Sequence, residues 1–366
     1  MHYPHPPAPS PCLGRGCRGG GSTVPETRVQ TVEIVIPTWN GRKILSDCLP
    51  KVIECCGELD PPARITIVDD ASTDSTTEYL RREFPQVNVL PLRRRHGFPG
   101  AVNAGAFASS ADIILLINSD MIPHGPVLRP LIEHFEEQDV AAVSARVLKW
   151  DAATIDVGRR LRKFDRGEIS GVGSNEDFPE PSYTFFASGG AMAVDRRRFA
   201  ELGGFDEIYS PGYVEDTDFS YRAWKRGWKI AWEPRSTFLH MGSATFAPQG
   251  NALKAWVSRC RVRYLLRRNS FYFYWKNLTE PQARRDYWKC LPGRALKALL
   301  AGDVFYFAAL ARAAAAAGTI ARLHRTEARA SVVADTDVFL RLHRLCEHAA
   351  KQAEHRENAY AANTGS

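Results

Sequence analysis

Hydrophobic runs without polar alternation recur through the first half of the chain. Val32–Pro37, Arg64–Val68 and Ile113–Ile117 are rich in β-branched or aliphatic residues. Each stops abruptly on polar residues: Thr38-Trp39-Asn40-Gly41, Asp69-Asp70 and Asn118-Ser119-Asp120. Such runs suit strands buried on both faces of a parallel sheet. Val87–Leu92 adds a further strand. Between them, Ile44, Leu45, Leu49, Val52 and Ile53 recur at helical spacing within Arg42–Cys56, which predicts a helix packed on the sheet. Thr76–Phe84 predicts a second helix, capped by Ser72 or Thr73, and Pro99–Ser109 a third, built of small residues. Strands alternating with helices imply right-handed crossovers and a parallel sheet. The three polar tips then share one edge, where open α/β sheets hold their ligands.

The second half has a different texture. Asp139–Lys149 predicts a strand, and Trp150–Pro181, heavy in Asp, Arg and Gly, predicts a long irregular insertion of the functional or mobile kind. Tyr183–Val194 follows with Gly189-Gly190, where the backbone can approach another group closely. A short helix over Asp195–Leu202 ends at Gly203-Gly204. Glu215-Asp216-Thr217-Asp218 opens a helix with Phe219, Ala223 and Trp224 on its apolar side. Trp228–Glu233 is a strand, and Ser236–Ser243 carries His240.

Composition is that of an ordinary globular protein, 44% apolar and 24% charged over 366 residues. The formal charge of +7 is unevenly spread: Lys254–Arg329 holds 16 Lys and Arg against 4 Asp and Glu, a local +12 that leaves the remainder at −5. That asymmetry points to a polyanionic surface, lipid or nucleic acid. Eight scattered cysteines suggest a reducing cytosol. Residues 1–29, rich in Pro and Gly and without an apolar core, suggest a disordered arm rather than a secretory signal.

Two clusters carry candidate chemistry. Oxygen donors at Asn118-Ser119-Asp120, on the tip of a buried strand, suit Mg²⁺ or Mn²⁺ bridging phosphates; the same residues also make an ordinary polar turn. The carboxylates at Glu215-Asp216 suit general-base work, and equally suit the positive end of a helix. No Gly-x-Gly-x-x-Gly follows the first strand, which disfavours a dinucleotide-binding dehydrogenase.

Taken in order, Ile-Pro-Thr-Trp-Asn-Gly, Val-Asp-Asp-Ala-Ser-Thr-Asp-Ser, Gly-Phe-x-x-Ala-x-Asn-x-Gly, Leu-Ile-Asn-Ser-Asp, Ser-Gly-Gly-Ala-Met, Leu-Gly-Gly-Phe-Asp-Glu and Glu-Asp-Thr-Asp-Phe resemble the motifs of family 2 inverting glycosyltransferases of the GT-A fold. The rhamnosyltransferase-like bacterial branch is the most similar. The resemblance spans roughly Glu33 to Asn277. It implies an α/β fold with a Rossmann-like, mainly parallel sheet flanked by helices, followed by a basic helical C-terminal extension. It also implies that Pro37, Thr38, Asn40 and Asp70, supported by Asp69, with Gly97, Asn103, Asn118 and Ser119, bind a nucleotide-diphosphate sugar (dTDP-, UDP- or GDP-linked). Asp120 and His240 would hold the metal; Asn118 replaces the first Asp of the family's Asp-x-Asp motif and removes one charge. Gly189, Gly190 and Asp218 would lie on the acceptor side. Asp216 would be the base that activates the hydroxyl of a glycan or polyprenyl-linked acceptor, with Glu215 as its alternate.

The expected organisation is a disordered arm over 1–29, a GT-A catalytic domain over 30–250, a basic aromatic membrane-associating extension over 251–330, and a C-terminal helix and tail over 331–366. Basic and aromatic residues interleave over Trp256–Asn277. Ala295–Ala321, interrupted by Lys297, Asp303 and Arg312, suits an in-plane amphipathic helix better than a spanning one, which needs about 20 apolar residues; the alternative is a helical appendage packed on the catalytic domain. Phe305, Tyr306 and Phe307 would insert shallowly, holding the enzyme peripherally on the cytoplasmic face of the plasma membrane. No recognised nucleic-acid motif accompanies the basic stretch, so nucleic acid is not an expected partner. Two rival functions are a sugar-nucleotide-forming nucleotidyltransferase, which would carry a Gly-rich, Arg-containing loop after the first strand, and a non-catalytic sugar-nucleotide-binding protein.

Overall fold

The computed structural model describes residues 30–165, 167–242 and 252–364, and the expected arm over 1–29 lies outside them. In chain order the elements are β1 (Val32–Thr38), α1 (Arg42–Cys55), β2 (Arg64–Asp69), α2 (Thr76–Glu83), β3 (Asn88–Pro91), α3 (Gly97–Ala108), β4 (Ile113–Ile117), β5 (Met121–Pro123), α4 (Leu128–Glu133) and β6 (Val140–Lys149). There follow β7 (Ile155–Val157), β8 (Arg159–Asp165), β9 (Glu168–Glu176), β10 (Ser182–Tyr183), β11 (Ala191–Asp195), α5 (Arg196–Glu201), α6 (Glu215–Lys225) and β12 (Lys229–His240). The helices α7 (Ala252–Asn277), α8 (Pro281–Leu300), α9 (Val304–Ala315), α10 (Ala317–Ala330) and α11 (Asp335–Thr364) complete the chain.

The three apolar runs become β1, β2 and β4, buried on both faces as their lack of alternation requires. They pair in parallel in the order β3-β2-β1-β4, and the sheet continues through β11, β6, β12 and β10. β11 runs antiparallel to both β4 and β6, so a parallel sheet acquires one reversed strand beside the central one. One buried cluster lies under α1, α2 and α4. The other unites α3, α5 and α6 with α7, α9, α10 and α11. The C-terminal helices therefore share a core with the sheet.

Two local expectations are corrected. The cap of α2 is neither Ser72 nor Thr73: Asp74 accepts from the Thr76 backbone N–H at 3.2 Å and its hydroxyl at 2.5 Å. Trp150–Pro181 is not irregular, since β7 extends the main sheet and β8–β9 form an antiparallel hairpin. The hairpin packs Phe164 on Phe339 of α11, and its Ile169 N–H donates to the Tyr274 hydroxyl of α7 at 3.0 Å.

Candidate active site

The carboxyl ends of β1, β2 and β4 bring the polar tips together on one edge, as crossover geometry predicts. Pro37 and Thr38 end β1. Thr38 is buried, and its hydroxyl has no partner among the described residues. A Cβ at Gly41 would collide with that hydroxyl, so glycine keeps the space beside it open. Asn40 sits at φ 52° and accepts from the Thr73 backbone N–H at 2.8 Å, locking the first loop to the second. Asp69 accepts from the Ser72 N–H at 2.9 Å and the Thr77 hydroxyl at 2.5 Å. Asp70 accepts from the N–H groups of His96 and Gly97 at 2.6 and 2.9 Å. Gly97, at φ +80°, lies where a Cβ would stand 2.8 Å from Pro211 Cα. Arg95, which sequence reasoning passed over as part of a basic turn, covers the Trp39 ring at 3.6 Å.

Asn103 is turned away from this edge. Its side chain donates to the Phe205 carbonyl and accepts from the Phe205 N–H, both at 2.8 Å, and it is buried. This is a splint between α3 and the 203–206 turn, which corrects its expected role as a donor contact.

Asn118, Ser119 and Asp120 follow β4. Asp120 is buried, and its Oδ2 meets His240 Nε2 at 3.1 Å. On the opposite side of the imidazole, Nδ1 meets Asp156 Oδ2 at 2.7 Å. Asp156 was invisible to sequence reasoning: it lies 84 residues from His240, inside the segment expected to be irregular. The Asp120 hydrogen bond, together with its charge and with Asp156, outweighs burial and raises the His240 pKa to about 9. A carboxylate on the far imidazole nitrogen is the arrangement that orients a metal-binding histidine. Among the described residues no three His, Cys, Asp or Glu side chains converge on one point. The pair Asp120 and His240 nonetheless fits a cation that takes its remaining ligands from substrate phosphates and water, as Mg²⁺ does.

Gly189 and Gly190 connect the two halves of the site. The Asn118 N–H donates to the Gly190 carbonyl at 3.0 Å, and a Cβ at Gly190 would stand 3.0 Å from Asn118 Nδ2. The Gly189 N–H donates to Asp216 Oδ2 at 3.2 Å. Asp216 also accepts from the Thr217 N–H at 2.6 Å. Burial raises its pKa, while the Gly189 and Thr217 hydrogen bonds pull it back toward the ionised form. Its neighbour Glu215 is buried, and its Oε2 has no partner among the described residues; burial, reinforced by the Asp216 charge, raises its pKa well above the ordinary value. Glu215 is thus the member of the pair that burial disposes more strongly to hold a proton, and Asp216 the one stabilised by hydrogen bonds to Gly189 and Thr217.

Asp218 does not face the cleft. Helical geometry advances about 100° per residue, so Asp218 points away from Asp216. It is fully buried, bonded to Lys276 at 2.9 Å, Arg222 at 2.7 Å, Asn277 at 2.7 Å and the Tyr209 hydroxyl at 2.8 Å. Its acceptor-side assignment is corrected: it fastens α6 to the end of α7.

Residues 33–203 match the family model described as glycosyl transferase family 2. N-acetylglucosaminyl-diphospho-decaprenol L-rhamnosyltransferase of Mycobacterium tuberculosis is 27% identical over 49% of this chain and 66% of its own length. Undecaprenyl-phosphate 4-deoxy-4-formamido-L-arabinose transferase of Pseudomonas syringae is 33% identical over 25% of this chain and 29% of its own. The chain thus spans less than two thirds of either relative. Among solved structures, GalNAc-T7 with UDP, GalNAc and Mn²⁺ superposes with a TM-score of 0.54 at 18% identity, covering 73% of this chain and 51% of that one. Together with the GT-A architecture of the sheet, these matches show a glycosyl transferase family 2 domain over residues 33–203.

Proposed function

We propose that the enzyme transfers a hexosyl or deoxyhexosyl group, with inversion, from a nucleotide-diphosphate sugar to a hydroxyl of a glycan or polyprenyl-linked acceptor in cell-surface polysaccharide assembly. The observation that supports this reading is the Gly189-Gly190 bridge, whose Gly189 N–H donates to Asp216 and whose Gly190 carbonyl accepts from Asn118, two residues before the Asp120 that pairs with His240. Thr38, Asn40, Asp69 and Asp70 line or brace the donor end. Asp216 takes the proton of the incoming hydroxyl as it attacks the anomeric carbon opposite the departing diphosphate, which inverts the centre. Bound at Asp120 and His240, Mg²⁺ or Mn²⁺ would supply charge stabilisation for the leaving diphosphate. The M. tuberculosis relative's name specifies a diphospho-decaprenol acceptor, which supports a lipid-linked acceptor here. Transfer assays over UDP-, dTDP- and GDP-sugars, with and without Mn²⁺, test the reading; donor turnover without transfer to any hydroxyl acceptor would overturn it. The nucleotidyltransferase alternative lacks its phosphate loop, since β1 is followed by Trp39-Asn40-Gly41.

Asp120→Asn is expected to weaken Mn²⁺-dependent nucleotide binding at least tenfold, because with Asn118 it leaves the tip without a charged ligand. Titration calorimetry with UDP or GDP in Mn²⁺ measures this, and unchanged affinity would remove Asp120 from the ligand set.

On the same reading the enzyme works peripherally at the cytoplasmic face of the plasma membrane, on anionic lipid. No single helix among the described residues is long and apolar enough to cross a membrane; α9 and α10 together are, but they meet at a 71° bend. Of the three aromatics expected to insert, Tyr306 is buried and Phe305 lies under Arg263 at 5.6 Å, so only Phe307 is exposed. The exposed apolar side chains are instead Leu299, Leu300 and Val304, with Leu253, Trp256 and Val257 on α7. Exposed Lys254, Arg259, Arg261, Arg263, Arg267 and Lys297 stand among them. Interleaved charge and apolar surface complements an anionic bilayer. The double variant Leu299→Glu, Leu300→Glu is expected to reduce co-sedimentation with anionic vesicles at low salt by tenfold or more. Equal sedimentation of variant and wild type would move contact elsewhere.

A further inference from the structure

The β8–β9 hairpin carries more arginines than it pairs. Arg159 is bonded to Glu176 at 2.7 Å, and Arg294 of α8 to Glu168 at 3.0 Å. Arg160 and Arg162 are treated differently. Among the described residues neither guanidinium makes an ion pair within 4.0 Å, both are partly buried, and Arg160 Nε is buried with no partner. Two residues apart on one strand, they share a face, with α-carbons about 7 Å apart.

The surroundings of that face are fixed by backbone bonds. The Arg160 N–H donates to the Thr184 hydroxyl at 3.0 Å, and its carbonyl accepts from the Phe185 N–H at 2.8 Å. Its guanidinium lies 5.0 Å from the Phe186 ring. Three residues beyond Phe186, Gly189 donates to Asp216. The charges of Asp216, the proposed base, and of Asp156 both act on Arg160. Tyr274 of α7 acts on Arg162 in turn. Burial pushes both guanidiniums down, and Arg160 adds repulsion to Arg162. Holding two like charges together, partly out of water, costs free energy that a bound anion would offset.

We infer that Arg160 and Arg162 form a phosphate cradle for the acceptor, gripping the phosphate or diphosphate of a phosphate-linked sugar while its hydroxyl reaches Asp216. The proposal deepens the transfer reading and rests on it for the word acceptor. Guanidinium forks match phosphate oxygens two at a time, and the charge of Asp216, the proposed base, acts on Arg160. The hairpin's helical neighbours α7 and α8 carry the exposed apolar side chains, so a lipid tail leaving the cradle would have a surface to follow.

Arg160→Gln and Arg162→Gln test this in the full chain. For each, kcat/KM is measured with a prenyl-diphosphate-linked sugar and with the same sugar as a neutral alkyl glycoside. The ratio of the two is expected to fall about 10- to 100-fold, the usual effect of losing a charge-assisted hydrogen bond, with donor KM unchanged. A raised donor KM with an unchanged ratio would assign the cradle to the donor's diphosphate and overturn the proposal, as would no change in either. A second arm needs no turnover: inorganic pyrophosphate is titrated into metal-free protein by calorimetry. Binding to wild type that is lost in Arg162→Gln supports the cradle, and absent or equal binding overturns it. If no sugar is transferred at all, this arm still decides the cradle, so the two failures are distinguishable.

Discussion

Asp216→Asn is expected to bind donor as the wild type does and to lose about 10²- to 10⁴-fold in kcat, the usual contribution of a general base. The amide keeps the acceptor for the Gly189 N–H but cannot take a proton from the incoming hydroxyl. Glu215→Gln should be mild by comparison. Burial and its neighbour's charge push Glu215 toward its protonated form, and a glutamine has the shape of that neutral acid. The pH profile adds a second check. Burial raises the Asp216 pKa above its ordinary 3.8, and the base must be ionised to act. The acid limb of kcat/KM should therefore lie above 3.8, with activity falling as pH drops through it. Turnover near wild type in Asp216→Asn, with Glu215→Gln inactive, would transfer the role to Glu215.

The central strands were legible because burial on both faces writes itself as an uninterrupted apolar run. Ile113–Ile117 is buried at every position, and the polar residues that end it, like those ending β1 and β2, had to fall on the same edge once the crossovers were right-handed. The β8–β9 hairpin left no such trace. Its strands read Arg-Arg-Leu-Arg-Lys-Phe-Asp and Glu-Ile-Ser-Gly-Val-Gly-Ser-Asn-Glu. They borrow their burial from α7 and α11 instead of carrying a hydrophobic face of their own. Asp156, Arg160 and Arg162 went unseen with it.

Asp218 and Asn103 failed for different reasons. The motif Glu-Asp-Thr-Asp suggests one acidic patch, yet on a helix positions two apart face opposite ways. That much could have been drawn from the spacing alone. Asn103 is held by a backbone 102 residues distant, and no local pattern announces such a bond. The basic, aromatic stretch after residue 251 was legible as helix. Its packing on the catalytic domain stood as an alternative to the membrane, because Phe271, Tyr272 and Phe273 look equally suited to a bilayer until Tyr221 is found packed on Phe273. Removing residues beyond Leu278 would also take away Asp335, which pairs with buried Lys225 of α6 at 2.5 Å. The extension is therefore no detachable anchor.

The burial of Asp218 carries the second large effect. Its carboxylate meets Lys276 and Arg222 at 2.9 and 2.7 Å with all three side chains almost wholly out of water. Burial alone would raise its pKa. Lys276, then Arg222, then the Asn277 hydrogen bond overcome that and hold it well below the ordinary carboxylate range. Asp218→Asn leaves two buried cations sharing Asp206 and a few backbone carbonyls, a loss that typically costs about 3–5 kcal/mol. The sign of the pH dependence follows from the depressed pKa. The ionised carboxylate stabilises the fold above its unfolded value near 3.8 and ceases to do so as pH falls toward the folded value. The gap between wild type and variant in urea unfolding should thus be full at neutral pH and narrow below about pH 4. Adding Lys276→Met should cost less than the sum of the two single changes, because the cation no longer needs a partner. A neutral-pH gap under 1 kcal/mol would mean that desolvation cancels the attraction, and that α6, with Asp216 two residues away, is held in place by its apolar face alone.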